Sequence, residues 1–210
     1  MAIRKKYALP AFAELPHIDI DLDKLRAEAD RFAHKYIDVE SANPALCDNH
    51  KMLVSQVYDN FTQINLTELN GEPPVHTTDI RERIRRGDEK LYNKETEDYK
   101  ASYFKELINQ FKNPKMRVRI TKLDAGRDIP FHIDYDPTYA VRVIIPIYTN
   151  TQVLNKFRIK GDEVETHFEA GKAYFLNTGF AHGVYNMSDQ PRIALMFSLD
   201  GQDDITDIQL

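Results

Sequence analysis

The sequence predicts an α+β protein with a jelly-roll core, and three observations carry the prediction. Short β-branched and aromatic runs crowd residues 116–200, with turn residues between them and no helical stretch to separate them. That grammar belongs to an antiparallel sandwich or barrel rather than to alternating βαβ units. Residues 1–115 are polar and mostly helical in pattern, and amphipathic helices of that kind cover one face of a sheet. The chain has 210 residues, enough for one core that buries about 70% of its unfolded surface. A single domain over 1–210 is expected, with 1–115 a mainly helical and loop region and 116–200 the jelly-roll core.

Taken in order, the first helix is expected over Leu25–Tyr36, where Leu25, Ala29, Phe32 and Tyr36 recur at helical spacing, with Asp21 or Asp23 as its cap. Leu69-Asn70-Gly71 and Pro73-Pro74 read as turns. The run Ile80–Lys90 (IRERIRRGDEK) is the most basic of the chain and reads as a solvated face or loop. A second helix is expected over Glu97–Phe111, with Tyr99, Tyr103, Phe104, Leu107, Ile108 and Phe111 as its apolar stripe and Asn113-Pro114 as its stop. The strands then follow, around Val118 and Ile120, Val141–Ile147, Phe157 and Ile159, Val184, and Ile193–Phe197.

Composition excludes several classes. Lys+Arg number 28 against 33 Asp+Glu, a formal net charge of −5, which argues against a nucleic-acid surface as the main business of the protein. No run approaches the ~18 apolar residues of a membrane span, so no membrane partner is expected. The opening MAIRKKYALPAF has basic residues with no apolar run behind them, so no secretory signal is expected and the cytoplasm is the expected compartment. Cys47 is the single cysteine, which rules out an intramolecular disulfide framework and any all-cysteine metal cluster. A metal in this chain must be held by histidines and carboxylates.

The chain offers such a set in Phe131-His132-Ile133-Asp134-Tyr135. Alternate side chains of a strand share a face, so His132 and Asp134 project together. His182 follows in Thr178-Gly179-Phe180-Ala181-His182-Gly183-Val184. Two histidines and one carboxylate form the donor set of non-haem Fe(II) oxygenases, which leaves adjacent coordination positions open. Asp136 and His167 are rival ligands. Pro137 ends the strand beside Asp136 and so favours Asp134; His167 reads as an ordinary strand histidine, and His17, His34, His50 and His76 as surface or cap residues. Beyond His182, the strand Arg192–Leu199 alternates, with Ile193, Leu195, Phe197 and Leu199 on one face and Arg192, Ala194, Met196 and Ser198 on the other. An arginine on the inner face of a barrel needs an anion. The distal carboxylate of 2-oxoglutarate would serve, as would an internal Asp or Glu, and an edge-strand surface position is the third reading of Arg192.

Together TKLDAGRDIPFHID, VRVIIPI and GKAYFLNTGFAHGVYNMSDQPRIALMF, covering about residues 117–199, resemble the aspartyl/asparaginyl β-hydroxylase family. Its members, free-proline hydroxylases among them, are Fe(II)- and 2-oxoglutarate-dependent dioxygenases. The resemblance implies a double-stranded β-helix (cupin-like) core and metal ligands at His132, Asp134 and His182. It also implies 2-oxoglutarate contacts from Arg192, Arg142 and the Thr121 hydroxyl, with O2 as the second co-substrate. A histidine found near the Arg142 position in some relatives is absent here, Ile144 standing in its place. The activity implied is hydroxylation of an amino-acid side chain, free or as an Asp, Asn or Pro-type residue of a peptide, with succinate and CO2 as co-products. The N-terminal 115 residues carry no part of the resemblance and are expected to frame that small-molecule or peptide substrate. The alternative from another class is a non-oxygenase cupin-type metal protein, an isomerase or a binding module. Arg192 separates the two, since only the oxygenase needs a buried cation aimed at a co-substrate.

Overall fold

Two antiparallel sheets lie face to face and supply the frame of the molecule. The computed structural model describes residues 3–42, 61–72, 79, 81–82, 84 and 87–209. Cys47, His50, His76, the Pro73-Pro74 turn and part of the Ile80–Lys90 run lie outside the described residues. In chain order the strands are β1 (Phe12–Glu14), β2 (Ile37–Asp38), β3 (Phe61–Asn65), β4 (Thr67–Glu68), β5 (Lys94–Glu95), β6 (Lys115–Leu123), β7 (Asp128–His132), β8 (Val141–Tyr148), β9 (Val153–Ile159), β10 (Asp162–Thr166), β11 (Tyr174–Leu176), β12 (Ala181–Asn186) and β13 (Arg192–Leu199). Among the described residues the larger sheet runs β1-β11-β8-β13-β6-β3-β2 and the smaller β10-β9-β12-β7, while β4 and β5 form a separate ribbon. The two principal sheets make the expected double-stranded β-helix. The larger one draws β1, β2 and β3 from the first 65 residues, a region whose short strands the polar, helix-like pattern had hidden.

The helices with described bounds pack outside the strands: α1 (Leu22–Phe32), α2 (Val39–Ala42), α3 (Glu97–Lys100) and α4 (Tyr103–Ile108). The cap of α1 is Asp21, whose side chain accepts from the Lys24 amide at 3.0 Å. The helix ends at Phe32 rather than Tyr36, because the backbone turns extended at Tyr36 and pairs β2 with β3. The long second helix is broken in two. The Ser102 hydroxyl donates to the Tyr99 carbonyl at 2.6 Å and accepts from the Lys105 amide at 3.3 Å, so it closes one turn and caps the next, a local alternative to continuous helix that serine offers. The apolar stripe survives the break, with Tyr99, Phe104, Leu107, Ile108 and Phe111 all buried.

That stripe meets the outer face of the larger sheet. Leu195, Phe197 and Leu199 of β13 and Val141, Val143, Ile145 and Ile147 of β8 share one core with Leu25 and Phe32 of α1 and with the α4 stripe. Phe111 meets Phe197 edge to face with centroids 4.9 Å apart, and Phe32 meets Phe104 at 5.6 Å. Each such side chain stabilises the fold by about 1.5–3 kcal/mol on burial. The alternation read from β13 is realised: its other face looks between the sheets, where Ala194 packs with Ile144 and Phe157. Helices outside and a narrow inter-sheet space inside leave that space as the place for polar groups with work to do.

Candidate metal centre

His132 ends β7 and His182 lies near the start of β12, and the two are direct partners in the antiparallel register of these strands. Their rings lie 4.3 Å apart at 49°. The close approach depends on Gly183: a Cβ there would stand 2.7 Å from the Ile129 carbonyl oxygen, a distance no side chain tolerates. The pairing shifts register between His182 and Val184, and such a bulge re-aims the side chains beside it. Both rings are anchored alike. His132 Nδ1 sits 2.9 Å from the Pro130 carbonyl oxygen and His182 Nδ1 sits 3.0 Å from that of Phe180. A carbonyl only accepts, so each Nδ1 carries a proton, and in the neutral ring Nε2 then presents its lone pair.

Asp134 completes the group. The ligand atoms of His132, Asp134 and His182 all lie within 4.8 Å of one another, with His132 Nε2 and Asp134 Oδ2 4.0 Å apart. The segment that carries Asp134 has left β7 and is pinned to the turn before β12. The Asp134 amide donates to the Thr178 carbonyl at 3.0 Å, and the Thr178 hydroxyl donates to the Tyr135 carbonyl at 2.7 Å. Asp136 does not join the group; its carboxylate accepts from the Thr138 amide at 2.9 Å in the next turn. Neither does His167, whose Nδ1 meets the Val153 carbonyl oxygen at 3.1 Å. The charge state suits a metal. Burial would raise the Asp134 carboxyl, but Arg142, the two histidines and Arg119 overcome it and hold the group well below the usual carboxylate range. Burial pushes His182 down to about 4, partly offset by Asp134, so its imidazole is neutral at neutral pH.

Around this group stands a cluster that sequence reasoning missed. Glu89, at the end of the basic run read as a solvated face, is 2% exposed. Its carboxylate accepts from Arg142 Nη2 at 3.1 Å, from Arg117 Nη1 at 3.2 Å and from the Ser198 hydroxyl at 3.1 Å. Burial raises its carboxyl, and Arg117, Arg142 and Arg119 more than reverse that, so it stays ionised. Arg119, also buried, has Met196 Sδ at 3.2 Å and the Arg117 carbonyl at 3.5 Å as its partners; burial and the neighbouring cations lower its pKa well below the ordinary value. The one signal for this cluster in the sequence was the alternation of charge in MRVRI on β6, which the strand grammar absorbed.

The co-substrate residues expected from the family fall in three situations. Arg142 faces the triad, with Nη2 3.9 Å from Asp134 Oδ2, but its nearest anion is Glu89. Thr121 faces the same space, yet its hydroxyl donates to the Ala194 carbonyl at 3.2 Å, which leaves it no proton for a carboxylate in this arrangement. Arg192 is 3% exposed, its Nη1 has no hydrogen-bond partner, and among the described residues no carboxylate pairs with it. Burial alone lowers it to about 10. Of the three readings of Arg192, the edge-strand surface is excluded by its burial, and no internal Asp or Glu pairs with it among the described residues. The donor set of two histidines and one carboxylate fits a divalent iron.

Comparison with known proteins places the chain in a family. The model of the aspartyl/asparaginyl beta-hydroxylase family matches residues 86–200. No curated protein matches the chain. Among solved structures, the chain is similar to a Pseudomonas putida prolyl-4-hydroxylase at 11% identity and a TM-score of 0.49, over 90% of this chain and 92% of that one. It is also similar to a Burkholderia pseudomallei oxidoreductase of the 2OG-Fe(II) oxygenase family, at 12% identity and a TM-score of 0.43, over 86% and 90%. A cupin domain from Bordetella pertussis Tohama I matches at 18% identity and a TM-score of 0.33, over 44% of this chain and 88% of that one. Among the described residues no helix is long and apolar enough to cross a membrane.

Proposed function

The chain belongs to the aspartyl/asparaginyl β-hydroxylase family, and from that premise we propose that it is an Fe(II)- and 2-oxoglutarate-dependent dioxygenase that hydroxylates an amino-acid side chain, free or in a peptide. His132, Asp134 and His182 would hold the iron, and Arg192 would receive the distal carboxylate of 2-oxoglutarate. When bound, iron supplies the redox chemistry that couples oxidative decarboxylation of 2-oxoglutarate, to succinate and CO2, to insertion of a hydroxyl into a C–H bond.

The protein's own contribution is positional and electrostatic. The Pro130 and Phe180 carbonyls hold the Nδ1–H of both imidazoles, so neither ring must turn before it can ligate. Thr178 holds the Asp134 segment against β12. Arg142, at longer range, keeps the Asp134 carboxylate ionised. The phenyl ring of Phe157, the Ile144 side chain and Ala194 line the space between the sheets with hydrocarbon, which excludes water and strengthens every charge interaction there.

The observation that carries the reading is Arg192, a buried guanidinium without an anion among the described residues, on the sheet face that also carries Arg142 and Met196. A metal-binding cupin with no dicarboxylate co-substrate has no use for it. The test is anaerobic titration of the Fe(II) protein with 2-oxoglutarate. Appearance of a metal-to-ligand absorption band, followed in air by succinate release on addition of a free amino acid or peptide substrate, is the expected result. A protein that binds iron yet neither binds 2-oxoglutarate nor changes its absorption overturns it.

A further inference from the structure

We propose that Glu89 is a positioning residue that acts through Arg142 to keep the Asp134 carboxylate free to serve as a metal ligand. The inference rests on the metal-centre reading above and deepens it. Glu89 stands on a 3-10 turn, Asp88–Leu91, far from β7 and β12 in sequence, and touches none of the three candidate ligands. Its carboxylate is clamped from three strands, by Arg117 of β6, Arg142 of β8 and Ser198 of β13, and its amide donates to the Tyr139 hydroxyl at 3.2 Å.

The geometry that matters is the division of one cation between two anions. Arg142 Nη2 lies 3.1 Å from Glu89 Oε1 and 3.9 Å from Asp134 Oδ2. Little else restrains the guanidinium. Its Nε is buried without a partner, and Nη1 has only the Met196 sulfur at 3.3 Å, a weak acceptor. Glu89 is therefore its anchor. With that anchor neutralised, the nearest carboxylate left to the buried arginine among the described residues is Asp134, and a buried charge closes on its remaining partner because leaving it unpaired is costly. An arginine in tight, charge-assisted contact takes up the carboxylate lone pairs that a metal needs. Glu89 thus sets the distance at which Arg142 favours an ionised Asp134 without capturing it.

The strand that holds Arg117 departs from regular geometry at this clamp. β6 shifts register against β13 between Met196 and Ser198, and Arg117 sits at that irregularity with φ +50°. A non-glycine residue in the left-handed region is held there by its surroundings, here by an amide that donates to the Tyr92 carbonyl at 2.7 Å and by the ion pair to Glu89.

The experiment is calorimetric titration of the metal-free protein with Co(II), read in parallel by Co(II) absorption, for wild type, Glu89→Gln, Arg142→Met and the double variant, each checked for native circular dichroism. Glu89→Gln is expected to weaken Co(II) binding by about tenfold or more, as loss of a residue behind a ligand does. In the Arg142→Met background the same substitution is expected to change the affinity by less than about threefold, because the cation through which Glu89 acts is gone. Undiminished Co(II) binding by Glu89→Gln overturns the proposal. So does a loss of equal size in the Arg142→Met background, which would make Glu89 a structural partner of Arg117 alone. If Glu89→Gln does not fold, Glu89→Asp, which withdraws the carboxylate by one methylene, is carried through the same cycle with the same expectations. A wild-type protein that takes up no Co(II) instead overturns the metal-centre reading itself, a result distinct from either failure of the Glu89 cycle.

Discussion

His132 and His182 face each other across β7 and β12 in direct register, each with its Nδ1 tied to the carbonyl two residues before it. Two histidines far apart in the chain thus arrive with the same tautomer, the same local anchor and rings 4.3 Å apart. Gly183 makes the approach possible, since a methyl group there would meet the Ile129 carbonyl oxygen at 2.7 Å. Gly183→Ala is expected to push β12 away from β7 and to weaken Co(II) binding at least about tenfold, the range seen when ligand geometry is disturbed, while far-ultraviolet circular dichroism stays native. Wild-type affinity in this variant would show that the glycine is not what brings the histidines together.

Arg192→Met separates co-substrate binding from metal binding. Loss of a charge-assisted pair to a carboxylate should weaken 2-oxoglutarate binding by about a hundredfold, with Co(II) affinity unchanged. The variant should also melt higher than wild type without ligand, because the substitution removes a buried charge that no carboxylate pairs with among the described residues. 2-Oxoglutarate at about a hundred times its wild-type Kd should stabilise the wild type by about 2.7 kcal/mol and the variant by only about 0.4 kcal/mol. Equal loss of metal and 2-oxoglutarate binding would mean that Arg192 supports the fold.

The stability of the metal-free protein should fall in mild acid. Burial holds His182 down to about 4 in the folded state, against about 6.5 in the unfolded chain. Between these values the unfolded state binds more protons, so stability is full above the upper value and declines as pH drops through the window. The contribution amounts to about 3 kcal/mol at most, since each tenfold difference in proton affinity between the two states is worth about 1.4 kcal/mol. Asp134 and Glu89, both held low in the folded state, add losses of the same sign at still lower pH. Urea midpoints measured at pH 7 and pH 4.5 test this, with His182→Asn as the variant whose midpoint should change less. An equal drop in both proteins would place the titrating group elsewhere.

Phe104 sits at 0% exposure between α1 and the larger sheet. Phe104→Ala should cost about 3–5 kcal/mol, the transfer of a phenyl group plus the cavity it leaves. Chemical denaturation measures it, and a cost below about 1 kcal/mol would contradict the packing of that core.

Much of this was legible in the chain itself. Strand alternation decided which face of β13 carries Arg192, because side-chain direction in a strand is a local property with a period of two. The cap at Asp21 was legible for a like reason, as a relation between neighbours. His132, Asp134 and His182 could be singled out by residue type and spacing. The strand alternation invoked for Asp134 does not hold, because β7 ends at His132 and Asp134 is placed by its amide bond to the Thr178 carbonyl. Tertiary structure alone decided the rest. It split the Glu97–Phe111 helix at Ser102, where a hydroxyl competes with the helix ladder only because the stripe on either side is already anchored in the core. It added β1, β2 and β3 to the larger sheet, since strands of two to five residues owe their existence to the edges they pair with. Above all it turned Glu89 from part of a charged, solvated run into the buried counter-charge of Arg142 and Arg117. Local pattern reports which way a side chain points; which charges meet between two sheets depends on strand order and register, and these are set by the packing of the whole chain.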